Sequence, residues 1–104
     1  MEATEAAIEQ EIQDKGLNAP RLNPAHIDNT ILAEQYHVFT GTVTTVCCLT
    51  LRNGFTVIGK SAPVSSDNFN EEIGRKVARD DARGQIWALE GYLLKERLAS
   101  SPAQ

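Results

Sequence analysis

The chain has 104 residues, ten Lys+Arg against 14 Asp+Glu, and a formal net charge of −4. That length allows one small domain of modest burial, for which self-association is an expected source of stability. The acidic balance argues against sequence-blind binding of duplex nucleic acid, which needs many cationic phosphate contacts, while leaving room for a local basic pocket.

Thr4 to Lys15 reads as a first helix, with Thr4 as its cap and Gly16 as its stop. Its stripe of Ala6, Ala7, Ile8 and Ile12 is thin, so weak docking or packing on a partner subunit is expected. Met1-Glu2-Ala3-Thr4-Glu5 is acidic where a secretory leader is basic and then apolar. No apolar run approaches the roughly 20 residues of a membrane helix. The expectation is a protein of the cytoplasm that makes no membrane contact.

Leu17 to Asn23 is a connector around Pro20. Asn23-Pro24 then pairs a capping residue with a proline at the first helical position. Ile27, Ile31 and Leu32 follow at helical spacing, which predicts a second helix to about Gln35. His26 and His37 are isolated and read as surface or hydrogen-bonded side chains.

Tyr36 to Leu51 is rich in Val, Thr, Phe and Tyr and alternates, with Phe39, Val43, Cys47, Leu49 and Leu51 on one face. Gly41 marks a bulge or a break between two strand segments. Asn53-Gly54 is a strong hairpin signal. A tight two-residue turn would pair Arg52 with Phe55, Thr50 with Val57 and Leu49 with Ile58. Each face of such a hairpin carries apolar residues, so helices or a second copy must cover it. Cys47 and Cys48 are adjacent on the strand and point to opposite faces, which disfavours a disulfide between them. No second cysteine pair completes a zinc site, and no metal is expected.

Ser61 to Asp67 is a loop broken by Pro63, with Asp67, Asn68 and Asn70 as competing caps for a long helix from about Asn70 to Leu98. Phe69, Ile73 and Val77 form one apolar stripe, continued by Trp87, Leu94 and Leu98. Ala82, Ile86, Leu89 and Leu93 form a second. A helix apolar on two sides is expected to be sandwiched in an oligomer. Gly84 and Gly91 are candidate points of close packing or a kink. The whole is an α+β fold: an antiparallel β-hairpin or sheet with two short N-terminal helices and one long C-terminal helix. It divides as 1–23 helix and connector, 24–98 core, and 99–104 flexible tail.

Arg75, Arg79 and Arg83 lie at i, i+4, i+8 on one side of the long helix. Arginine forks match phosphate oxygens two at a time. The plainer reading pairs them with Glu71, Glu72, Asp80 and Asp81 as a solvated face. Arg52 and Phe55 flank the turn and can sandwich a nucleobase or a peptide carbonyl, and Lys60 adds charge at the far end of the strand. These six residues are the candidate ligand site. Ile86, Trp87, Leu89, Tyr92, Leu93 and Leu94 are the candidate interface. No nucleophile elbow, phosphate loop or His/Cys/Asp constellation is present, so the chain reads as a binder without catalytic residues or cofactor.

Three stretches carry a family resemblance: Thr45 to Val57, Glu72 to Arg79, and Ile86 to Leu94. They resemble the small tailed-phage protein family named after phage gene products forty-nine and sixty-six, over most of the chain from about Lys15 to Leu98. The resemblance implies a phage or prophage accessory protein acting in the cytoplasm of the bacterial host, with no defined reaction. The expected layout is also similar to phage anti-defence proteins of the Thoeris-inhibiting kind, which sequester cyclic ADP-ribose or cyclic nucleotide signals in pockets between subunits. That analogy implies a cyclic nucleotide sponge and carries over no site residue. The alternative is an inhibitor that binds a host protein through the C-terminal helix.

Overall fold

The structure, a computed structural model, describes residues 4–100. Helix α1 (Glu5–Asp14) and helix α2 (Pro24–Thr30) precede a three-stranded antiparallel meander of β1 (Ile31–Val38), β2 (Thr45–Leu51) and β3 (Thr56–Ser61). A 3₁₀ turn over Ser66–Asn68 leads into α3 (Glu71–Ser100), which lies across one face of the sheet. The expected α+β layout is therefore present. The tail expected over 99–104 is helical at Ala99 and Ser100, and its last four residues lie outside the described ones.

The caps follow the sequence. Thr4 Oγ1 accepts from the Ala7 amide at 3.0 Å, Asn23 Oδ1 from His26 at 2.8 Å, and Asn70 Oδ1 from Ile73 at 2.9 Å. Each side chain satisfies an amide that the first helical turn leaves unpaired. Gly16 ends α1 at φ +64°, a conformation that a Cβ penalises.

Two boundaries differ from expectation. The second helix stops at Thr30 rather than near Gln35, and the chain turns directly into β1. Leu32, Ala33, Glu34 and Gln35 have good helix propensity, but β2 needs a partner along that edge, and tertiary pairing outweighs propensity. The first strand begins at Ile31 rather than Tyr36, and the break expected at Gly41 is present, as a turn between β1 and β2 in which Gly41 sits at φ +78°.

The β2–β3 hairpin is also one residue out of the expected register. Leu51 donates its amide to the Phe55 carbonyl at 2.8 Å, and Thr50 pairs with Thr56, Leu49 with Val57 and Cys48 with Ile58. The loop is Arg52-Asn53-Gly54, and Gly54 alone takes positive φ, +90°. This is the three-residue connection, in which a turn is closed by a left-handed glycine, not the two-residue turn with two positive φ angles. Val57 and Gly59 consequently face α3 and are buried, while Ile58 points away.

The core lies between sheet and helix. Cys47, Leu49, Leu51 and Val57 meet Ala78, Ala82 and Ile86, with Ile27 closing one end. The helix stripe that packs is Gly74, Ala78, Ala82 and Ile86, four residues apart. Ile73 (59% exposed) and Val77 from the expected Phe69 stripe face outward instead. Small residues let α3 approach the sheet closely. A Cβ on Gly59 would lie 2.2 Å from the Ala82 amide nitrogen and 2.3 Å from the Ala78 carbonyl oxygen. Close packing is thus at Gly59 and Gly74. Gly84 has nothing within reach and Gly91 only an ordinary contact with Leu22.

The free edge of β3 is covered by the same helix. Asp81 accepts from the Lys60 amide at 2.9 Å, and Gln85 donates to the Ile58 carbonyl at 2.7 Å. Satisfying an edge strand this way removes a template for pairing with another chain.

Candidate functional site

Three of the four arginines of α3, Arg75, Arg79 and Arg83, are held by carboxylates. Arg75 pairs with Glu71 at 3.1 Å, one turn away. Arg79 reaches across the sheet to Glu34 on β1 at 2.8 Å. Arg83 gives both terminal nitrogens to Glu5 of α1, at 2.7 and 2.8 Å, and its Nε to Asp28 of α2 at 2.8 Å. Hydrogen bonds to these carboxylates push the Arg79 and Arg83 guanidinium groups further above their ordinary range. The hydrogen bond from Arg79 Nε in turn holds Glu34 below the usual carboxylate range. The row fastens α1, α2 and β1 to α3. Lys60 stands on the outer side of β3, apart from these pairs.

Arg52 and Phe55 are brought together at the hairpin tip, where they meet the C-terminal half of α3. Arg52 is anchored there: its amide donates to the Thr30 carbonyl at 3.0 Å and its Nε to the Asn29 carbonyl. A groove of about 590 Å³ opens between hairpin and helix. Its walls are Arg52, Asn53 and Phe55 on one side, Leu89, Glu90, Tyr92, Leu93 and Arg97 on the other, with His26, Asn29 and Thr30 at one end. That volume falls within the range of small-molecule sites. Phe55 and Tyr92 are 55% and 74% exposed, so two aromatic faces are open to a ligand. Arg52 and Arg97 form no ion pair with any described residue. Glu90 is engaged by His26, Nε2 to Oε1 at 2.8 Å, so the groove's one carboxylate already has a partner.

The groove unites residues that the sequence offered as two separate sets, Arg52 and Phe55 as ligand contacts and Leu89, Tyr92 and Leu93 as interface. It leaves out Arg75, Arg79, Arg83 and Lys60. Ile86 is fully buried in the core and Trp87 is partly buried against it, so Ile86 presents no surface to a partner. Leu94 is half-buried. Arg97 was not singled out in the sequence; the signal was its place four residues after Leu93 and eight after Leu89. His26 and Asn29 had no such signal, because the α2–hairpin contact that places them is a tertiary one.

The cysteines are free, Cys47 buried against α3 and Cys48 half-buried on the other face. Burial raises the Cys47 thiol above its ordinary range, which keeps it protonated and unreactive. Among the described residues, no group of His, Cys, Asp and Glu can hold a metal ion, and no helix is long and apolar enough to cross a membrane.

These features define a small α+β fold with an aromatic and cationic groove at one end. The chain belongs to the Phage protein (N4 Gp49/phage Sf6 gene 66) family, whose model matches residues 22–98. Neither a curated protein nor a solved structure matches it.

Proposed function

We propose that this phage accessory protein is a non-catalytic binder that sequesters a small anionic nucleotide, of the cyclic signalling kind, in the cytoplasm of the bacterial host. The observation that supports this most is the groove, where two aromatic rings and two guanidinium groups meet in a protein of net charge −4. Aromatic faces take a base, and guanidinium forks take phosphate oxygens. The net charge speaks for a compact ligand over a nucleic-acid polymer. The arginine row of α3 plays a secondary part in this reading, since its forks hold carboxylates.

Native mass spectrometry with a panel of cyclic nucleotides and cyclic ADP-ribose isomers tests the proposal. Stoichiometric ligand mass is expected. It should be lost in Arg97→Ala and Phe55→Ala, whose exposed side chains contribute little to folding, and kept in Arg79→Ala, which lies outside the groove. A protein that ignores the whole panel refutes it.

A second reading has its own support. Tyr92, Leu93, Leu89 and Leu98 leave apolar surface exposed on the last turns of α3, which suits an inhibitor of a host protein or a homo-oligomer. The same spectra report subunit number, and a co-purifying host protein with no small ligand would favour that reading.

A further inference from the structure

Helix α1 stands apart from the rest of the fold. It lies outside the family match, which begins at residue 22, and none of its residues is buried. Its two isoleucines close onto the body only in part, Ile12 being half-buried. Ile8 is 47% exposed, and a cleft of about 390 Å³ remains between Ile8 and Ile12 on the arm and Leu22, Pro24 and Trp87 beneath it. A packed helix leaves few voids larger than a water molecule.

What fastens the arm is charge. Glu5 takes both terminal nitrogens of Arg83, and Glu9 takes both of Arg21, at 2.7 and 2.9 Å. Both are two-pronged pairs, the geometry in which an arginine discriminates best. Glu5 and Glu9 are one turn apart, as are Ile8 and Ile12, so the arm presents acidic and apolar groups together. The connector from Lys15 to Arg21 contains Gly16 and Pro20 and is exposed until Arg21.

We propose that α1 is a releasable arm and that the surface beneath it, formed by Arg21, Arg83, Trp87, Leu22 and Pro24, is an acceptor for an acidic amphipathic helix. In this structure α1 is the resident occupant and masks the acceptor. A partner helix with two carboxylates one turn apart displaces it by taking the same two forks. The inference does not rest on what the groove holds, since the groove and the acceptor share no residue.

Trp87 is the only tryptophan, so its fluorescence reports the acceptor directly. The test uses the full chain and its Glu5→Gln/Glu9→Gln variant, with amide hydrogen exchange alongside fluorescence. In the variant, α1 amides should exchange about tenfold faster, as expected for the loss of two partly buried, two-pronged ion pairs. The amides of β2 and of the middle of α3 should be unchanged, and Trp87 emission should shift to the red. An acetylated peptide of residues 4–15, at millimolar concentration, should reverse that shift, and the same peptide with both glutamates replaced by glutamine should not. Unchanged α1 exchange, loss of protection in β2 together with α1, or no response to the peptide would each overturn the proposal.

Discussion

Replacing Gly59 by alanine adds one methyl group where the helix and sheet backbones nearly touch. The new Cβ would stand 2.2 Å from the Ala82 nitrogen, 2.3 Å from the Ala78 oxygen and 2.9 Å from the Ala82 Cα. All three are backbone atoms, so no rotamer change relieves the overlap. Carbon contacts are comfortable near ~3.5 Å, so α3 must retreat by about 1 Å. A gap of that size forfeits a quarter to a half of the dispersion energy along the Gly74–Ala78–Ala82–Ile86 row. Overpacking costs roughly 1–3 kcal/mol, and a clash between backbones belongs at the upper end, about 3 kcal/mol. A domain of this size has a total stability of only about 5–15 kcal/mol. Urea unfolding followed by Trp87 fluorescence should show the midpoint falling by about 1–3 M. The sign is as informative as the size. Gly→Ala in regular structure ordinarily stabilises by about 0.4–1 kcal/mol through the unfolded chain. Gly84→Ala, with nothing within 4 Å of its added Cβ, should behave in that ordinary way and raise the midpoint. If Gly59→Ala matched or exceeded wild-type stability, the close approach of α3 to β3 described above would be wrong.

Three further outcomes follow from buried or charged groups. Thr45 Oγ1 is buried with no hydrogen-bond partner, so Thr45→Val should raise stability by roughly 1–2 kcal/mol, read from the same urea titration. Burial and then the Glu34 carboxylate push the Tyr36 phenol up to about 12. A raised acid pKa stabilises the fold below the unfolded value near 10, and that stability drains away as pH rises toward 12. Alkaline melts should therefore lose stability over that window, and less so in Tyr36→Phe. At the acid end, the Arg21 hydrogen bonds hold Glu9 at about 2. A depressed carboxylate pKa stabilises above the unfolded value near 4.5 and is lost as pH falls toward 2. Trp87 emission should thus report α1 docked at pH 5 and released on approach to pH 2.

The sequence was legible where local chemistry decides. Thr4, Asn23 and Asn70 announce helix starts because a short polar side chain there has a backbone amide to satisfy. The alternation of Cys47, Leu49 and Leu51 announces a half-buried strand. It was not legible where a distant partner decides. Leu32 to Gln35 are strand because β2 lies beside them, and no feature of those four residues says so. Small residues were the other blind spot. A stripe of Gly74, Ala78 and Ala82 has little hydrophobicity to read, so the bulkier Ile73 and Val77 drew the eye to the solvent side. The arginine row was found by spacing, but its carboxylates come from α1, α2 and β1 as well as from its own helix, and only the fold brings them there.

The loop Arg52-Asn53-Gly54 acts on the rest of the molecule through arithmetic. Side chains along a strand alternate, so the number of residues in the turn is a parity bit for everything downstream of it. With three residues, β3 shows α3 a valine and a glycine, Val57 and Gly59, and the glycine is the one residue that the close helix admits. With two residues or four, the opposite set, Thr56, Ile58 and Lys60, would be turned toward the helix backbone. A slip of one residue in where that loop closes therefore rewrites the helix–sheet contact along the whole strand, and the left-handed Gly54 that closes the three-residue turn is what holds the register in place.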